Sequence, residues 1–274
     1  MDKGTARAAD PAAALAAAMR PVTAADGAAV SVAVLRTGTD TGTGTGTGTG
    51  TRAVFGGGSF ETASIVKVDI LAALLLRAQD AGRRPTARER AYATAMIEHS
   101  DNDAASALWR AVGGAAGLDA ANRRFGLTAT SGGDGGLWGL TRTTAADQLT
   151  LLEQVFGEDS RLTRRSRAYV ARLMERIAED QDWGVSAAAD GSAWALKNGW
   201  LPRDATGLWV VNSVGRVTVG GEDYLVAALS HGNETKDKGI ALVEAAARAA
   251  VSALTPSEQP GEHLRRRSAP GSVR

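Results

Sequence analysis

From Ala63 to Ala81 the chain reads as one helix that is apolar on most of its sides: Val66, Ile70, Leu71, Leu74 and Leu75 leave no clear polar stripe before Asp80-Ala81-Gly82 ends it. Such a helix has to be wrapped, so the remaining sequence must supply layers around it. Two polar residues interrupt its opening, Ser64 and Lys67. Three apart on a helix they share a face, and a hydroxyl one turn from an amine suits a nucleophile and its base. A serine hydroxyl attacks poorly until a neighbour takes its proton, and a buried lysine can take it because desolvation disfavours the charged amine. Arginine cannot serve in that way. The chain carries 26 Arg and only five Lys, so the two interior lysines, Lys67 and Lys197, stand where a generic positive charge would have been arginine. Alone, S-x-x-K fits a helix-opening serine beside a snorkelling lysine equally well.

The length, 274 residues, and a 44% hydrophobic content give enough apolar material for one large domain or two interleaved ones. A formal net charge of +1, with acids and bases interspersed, indicates neither a nucleic-acid partner nor a membrane surface. There is no cysteine, which removes disulfides, thiol catalysis and thiolate metal sites. No apolar run is long enough for a membrane span, and the N-terminus lacks a signal-peptide core.

Along the chain, residues 11 to 20 predict a helix with proline in its first turn, and Ala29 to Leu35 alternates as a strand. Thr37 to Thr51 is a Thr-Gly low-complexity stretch, read as a long hairpin loop before a second strand at Arg52-Ala53-Val54-Phe55. After the buried helix, further helices are expected at about 86–98, 101–112, 117–125, 143–156 and 161–179, with a glycine-rich loop over about 126–142. Strands follow at Ser192–Asn198, Leu208–Val219 and Tyr224–His231, the last two joined by Gly220-Gly221-Glu222-Asp223. A helix over 236–254 closes the fold. This order predicts an α/β plus all-α class: a five-stranded antiparallel sheet flanked by the N- and C-terminal helices, with a helical domain inserted. The expected boundaries are a tail at 1–9, a sheet domain from 10–62 and 190–254, a helical domain at 63–189 and a disordered tail at 255–274.

Two further polar triplets stand out, Ser100-Asp101-Asn102 in the helical block and Lys197-Asn198-Gly199 on the first strand beyond it. The first also fits a helix N-cap and the second a strand end with a surface lysine. Their order supports the chemical reading: S-x-x-K on a helix, then S-D-N, then K-x-G on a strand.

In this the chain resembles the class A β-lactamase and penicillin-binding-protein superfamily of active-site serine enzymes, in particular its compact actinobacterial serine hydrolases, over about residues 10 to 254. The resemblance implies a site in a cleft between an α/β and a helical domain. It implies Ser64 as acylated nucleophile, Lys67 as general base, Ser100 as proton relay to the leaving nitrogen and Asn102 as a support for Lys67 and the substrate amide. Lys197 would supply positive potential for a substrate carboxylate. The backbone N–H groups of Ser64 and Trp200 would form the oxyanion hole, and Gly199 would let substrate lie along the strand edge.

Two departures narrow the expectation. Asn198, expected with Gly199 and Trp200 to line the substrate and oxyanion site, stands where the family has threonine or serine contacting the substrate carboxylate. The glutamate that activates the deacylating water in class A enzymes is absent: between Asn102 and Thr143 there is none. Asp134 is the only acid of the glycine-rich loop and the one candidate to replace it, although Gly-Gly-Asp-Gly-Gly reads first as a turn. The expected protein is a serine hydrolase acting on an amide, β-lactam or ester through an acyl-enzyme that is slow to hydrolyse. The alternatives are a peptidase or acyltransferase on a peptide or natural-product ester, and a non-catalytic penicillin-binding-like protein. No cofactor, metal, nucleic acid or membrane span is expected. The partner is a small-molecule or peptide substrate, and a monomer is expected. The family implies an exported protein, while the chain itself leaves the compartment open.

Overall fold

The computed structural model describes residues 10–26, 28–38, 50–191 and 193–256. Helix α1 (Pro11–Asp26) leads into strand β1 (Ala29–Arg36), which pairs with β2 (Thr51–Phe55) so that Arg36 faces Thr51. The Thr-Gly stretch is therefore the connection of a hairpin, and most of it, like the tails at 1–9 and 257–274, lies outside the described residues. A two-residue strand β3 (Phe60–Glu61) precedes α2 (Val66–Asp80), α3 (Ala87–Glu98), α4 (Asn102–Val112) and α5 (Gly114–Phe125). Strand β4 (Arg142–Thr143) pairs back onto β3, and α6 (Ala145–Phe156) and α7 (Arg164–Met174) follow. Three long strands, β5 (Trp194–Arg203), β6 (Leu208–Val219) and β7 (Glu222–Asn233), and helix α8 (Lys236–Leu254) complete the chain.

The main sheet has the order β2-β1-β7-β6-β5 and is antiparallel throughout, with β2 and β5 at its edges. Its two faces follow the period of the strand. On β1, Val30, Val32 and Val34 pack with Leu15 and Met19 of α1 and with Leu242, Val243 and Ala246 of α8. On β7 the alternate residues Leu225, Ala227 and Leu229 face the other way, into the core built around α2. That helix buries twelve of its fifteen residues, as the absence of a polar stripe requires. Each fully buried Ile or Leu there contributes about 1.5–3 kcal/mol.

Local capping fixes where the surrounding helices begin. Thr86 and Glu89 form a reciprocal capping box on α3, and the Asp101 carboxylate accepts from Ala104 N at 2.6 Å to start α4. Four features differ from the sequence expectation. The short β3–β4 ribbon was not expected, since two residues carry no periodic signal. Helix α5 starts three residues early, at Gly114, and α7 stops at Met174, five residues early; 3-10 turns at Glu179–Gln181 and Val185–Ala188 follow it. Strand β5 runs past Asn198 to Arg203, because pairing with β6 continues through Gly199↔Asn212 to Arg203↔Leu208. Pro202 is tolerated there because β5 is an edge strand.

Candidate active site

Ser64 sits in the middle of a 3-10 turn, Ala63–Ile65, that runs directly into α2. The turn is strained and clamped. Ala63 adopts φ +47°, a left-handed conformation that a side chain disfavours. Asn212 Nδ2 on β6 donates to Glu61 O at 2.8 Å and Thr62 O at 3.0 Å, and Thr62 N donates to Thr141 O at 2.8 Å. From the sheet side Gly199 closes the clamp: a Cβ there would lie 2.6 Å from Ser64 N and 2.8 Å from Ile65 N. Glycine at 199 is thus required by the approach of β5 to the Ser64 backbone, a more specific reason than the open strand edge expected from sequence.

One turn along α2, the Lys67 side chain is fully buried. Its Nζ donates to Ser100 O at 2.6 Å and Asn102 Oδ1 at 2.8 Å, and lies 3.0 Å from Ser100 Oγ. Lys197, equally buried, reaches the same Ser100 Oγ from β5 at 3.1 Å and donates to Asn198 O at 3.0 Å. Ser100 can present both its carbonyl and its hydroxyl because it too is left-handed, at φ +54°. Its neighbour Asp101 is the N-cap of α4, so the triplet divides: the middle residue caps a helix and the outer two hold Lys67.

All the hydrogen bonds of these two amines go to neutral oxygens. Burial without an ion-pair partner disfavours the charged form, and it lowers Lys67 to about 7, against a weaker opposing pull from Asp101. Burial also lowers Lys197 to about 7, helped by the neighbouring positive charge of Lys67. Two amines that burial lowers to about 7 therefore share one serine hydroxyl. Two residues beyond Lys67, burial pushes the Asp69 carboxyl up to about 8, so that at neutral pH it is a neutral acid and no counter-charge.

Two expectations are corrected. Asn198 points away from Ser64: its Nδ2 donates to Gln181 O at 2.9 Å and Trp183 O at 2.8 Å, and its side chain is buried against Gly184. Strand alternation dictates this, since Lys197 and Gly199 occupy the other face. It pins the segment ahead of β5 and makes no contact surface for a carboxylate. Asp134 is exposed and opens a 3-10 turn in which Leu137 N donates to its backbone carbonyl at 2.9 Å, so the turn reading holds and no hydrogen bond joins it to Lys67. Trp200 has its ring on the Asn198 face, 5.7 Å from Trp183 and under Lys236 Nζ at 4.0 Å. Arg203 and Arg216 are engaged by acids, Glu61 for the first and Glu175 and Asp223 for the second.

From sequence Trp138 could line a cleft but reads by default as a core tryptophan, and Asn212 is not singled out. Trp138 lies on a 3-10 turn, Trp138–Leu140, of the glycine-rich loop; its ring centroid is 4.9 Å from Lys67 Nζ and its Nε1 donates to Ser106 Oγ at 3.1 Å. A tryptophan in a glycine-rich loop was the available signal, and Asn212 was a lone amide within a β-branched strand. Beside Trp138 a cleft of about 520 Å³ runs between residues 136–140 and 201–205. Leu137, Leu140 and Leu201 give it an apolar lining, and Leu137 is 59% exposed. Leu201 shares the strand face of Lys197 and Gly199, so the cleft continues the face that meets Ser64. Among the described residues no cluster of histidine and acidic side chains could hold a metal, and no helix is long and apolar enough to cross a membrane.

A family model described as the beta-lactamase enzyme family matches residues 76–254. Ser64 and Lys67 precede the matched segment. No curated protein matches the sequence. Among solved structures, the chain is similar to a class A beta-lactamase from Bacteroides cellulosilyticus at 15% identity and TM-score 0.74, covering 89% of this chain and 98% of that one. A beta lactamase from Xanthomonas campestris pv. campestris is 20% identical with TM-score 0.70, covering 90% of this chain and 99% of that one. The L158E mutant of PBP-A, solved as an acyl-enzyme complex with penicillin G, is 22% identical with TM-score 0.68, covering 88% and 96%. At these identities the likeness concerns the fold.

Proposed function

The chain belongs to the beta-lactamase enzyme family, and from that premise we propose that it is a serine hydrolase that takes an acyl group from an amide, β-lactam or ester onto Ser64 and releases it slowly. One observation carries the reading. Two fully buried amines, both lowered to about 7, converge on Ser100 Oγ and have only neutral oxygens for partners, and one of them, Lys67, is one helical turn from Ser64. A structural protein gains nothing from two unpaired buried lysines, whose desolvation costs several kcal/mol each.

In the proposed step neutral Lys67 gives up its contact with Ser100 Oγ, which Lys197 retains, and takes the Ser64 hydroxyl proton. Ser64 Oγ attacks the carbonyl carbon, and backbone N–H groups of Ser64 and Trp200 hold the developing oxyanion. As the C–N or C–O bond breaks, the proton passes from Lys67 through Ser100 Oγ to the leaving atom, and Asn102 keeps Lys67 in place. Lys197, without a carboxylate partner, is available to a carboxylate on the leaving group. The acyl substituent then points along β5 away from Lys197, into the apolar cleft beside Leu137 and Leu201, which suits an uncharged substituent.

Slow release follows from the missing base: the segment between Asn102 and Thr143 contains no glutamate, and Asp134 faces solvent. The same absence favours, as a second reading, transfer of the acyl group to an acceptor other than water, with a peptide or natural-product ester as donor along the β5 edge. Intact-protein mass after incubation with benzylpenicillin, and separately with a fluorophosphonate, tests the acylation. A persistent adduct on wild type that is lost in Ser64→Ala and slowed at least 100-fold in Lys67→Met is expected. Equal labelling of Ser64→Ala, or none of wild type by either reagent, would reduce the protein to a binder.

A further inference from the structure

We propose that Trp138 is the shield that sets the lifetime of the acyl group on Ser64, by filling with an apolar ring the space beside Lys67 that a hydrolytic water needs. The inference rests on the acyl-enzyme reading above and goes beyond it by naming what keeps water out.

The geometry leaves few directions open around Lys67 Nζ. The amine is held by Ser100 O and Asn102 Oδ1 and lies 3.0 Å from Ser100 Oγ, the contact it gives up when it acts as a base, and the Trp138 ring stands 4.9 Å away as a wall beside it. The one polar atom of the indole is spent on Ser106 Oγ of α4, so the ring offers water no hydrogen bond on the Lys67 side. The ring is also held from behind. Its 3-10 turn packs on the Ser64 turn, where a Cβ at Gly139 would lie 3.9 Å from Ala63 Cα, and Leu140 N donates to Leu137 O at 2.8 Å. On the opposite side of the Ser64 turn, β5 presses so close at Gly199 that even a methyl group is excluded. The Ser64 turn thus has β5 on its sheet side and the turn that carries the indole against it on the helical side.

Hydrolysis requires a water oxygen to add to the acyl carbon while one of its protons goes to Lys67 Nζ. The bond from that carbon to Ser64 Oγ then breaks, Oγ takes the proton back and the carboxylic acid leaves. The first stage needs the water within hydrogen-bond reach of Lys67, and the second needs Lys67 within reach of Ser64 Oγ. Replacing the indole by a methyl group frees space for more than one water, each of which occupies about 30 Å³, beside two lysines and a serine that can hold them.

The test follows the decay of the benzylpenicillin or fluorogenic-ester adduct by intact mass, separately from its formation, in wild type, Trp138→Ala, Trp138→Phe and Ser106→Ala. Trp138→Ala is expected to shorten the adduct half-life at least tenfold. Ser106→Ala, which frees the ring without removing it, should shorten it by a smaller factor, and Trp138→Phe should stay within threefold of wild type. The decay rate in Trp138→Ala should also rise with pH through the neutral range, as a base-assisted water attack does. An adduct on Trp138→Ala as long-lived as on wild type, in a protein with a cooperative melt, overturns the proposal. If Trp138→Ala fails to fold, an unchanged half-life in Ser106→Ala overturns it. Absence of any adduct on wild type removes the acyl-enzyme reading itself, and a wild-type adduct with the same lifetime in every variant removes only the shield.

Discussion

Strand β5 presents two faces that are one residue out of phase. On one, Lys197 and Gly199 meet Ser100 and the Ser64 turn; on the other, Asn198 and Trp200 meet the 181–184 segment, Trp183 and Lys236. Both are buried or half-buried and both carry polar groups. They differ in how those groups are satisfied. Asn198 spends its amide nitrogen on two backbone carbonyls and so fixes structure, while its Oδ1 is buried without a hydrogen-bond partner. Lys197 is left with two neutral acceptors and an amine lowered to about 7, so its charge remains available to something not in the protein. Both faces thus hold a partly satisfied buried group, and what distinguishes the functional one is an ionisable amine, lowered to about 7, among neutral oxygens beside the Ser64 turn.

The comparison can be broken most directly at Lys197. Lys197→Met should reduce acylation by a carboxylate-bearing substrate about 100-fold or more, the loss usual for one preorganised charged donor, with little change in melting temperature because a desolvated amine is replaced by a thioether. Its pH profile adds a signed test. A neutral Lys67 is the required base, so acylation of an uncharged ester should rise with pH through about 7 in wild type. Removing the nearby positive charge should move that rise to higher pH. A profile flat from pH 5.5 to 9 would mean that Lys67 is not the base.

Gly199→Ala comes next. The added methyl would meet Ser64 N at 2.6 Å, where the neighbour is backbone and cannot swing away. The Ser64 turn must shift, and acylation should fall about tenfold to hundredfold, as misplacement of a nucleophile by a fraction of an ångström does. Wild-type rates in this variant would show that the turn is not held by β5. On the opposite face, Asn198→Ala should act on stability: two buried carbonyls lose their donor, for about 2 kcal/mol and roughly 4–8 °C in melting temperature. Its acylation rate should stay within about threefold, the range in which surface and support changes leave a preorganised site. A larger loss of acylation than of stability would place Asn198 with the functional face and erase the contrast.

Much of this was legible in the sequence because it depends on local period. The alternation of Ala29 to Leu35 and the stripe-free helix at Ala63 to Ala81 each specify an element and its burial, and their order specifies a sheet with helices inserted. The ends of α7 and β5 were misjudged because tertiary pairing decided them. Nothing in Gly-Trp-Leu-Pro-Arg announces a strand until β6 lies beside it. Ser64, Lys67, Ser100, Asn102 and Lys197 could be gathered from spacing and order, and the fold brings the last four to one point. Asn198 was misread because a motif lists residues in a row, whereas a strand sends neighbours to opposite faces.

By itself, then, the sequence determined the elements, the class of fold and the choice of lysine over arginine at two interior positions, all consequences of side-chain chemistry and local repeat. The tertiary structure alone decided what those lysines became. Burial lowered both to about 7, and the left-handed backbone of Ser100 turned its hydroxyl and carbonyl to them. A tryptophan 71 residues from Lys67 in the chain came to lie 4.9 Å from its amine. Desolvation and long-range proximity are properties of the packed interior, and no local pattern carries them.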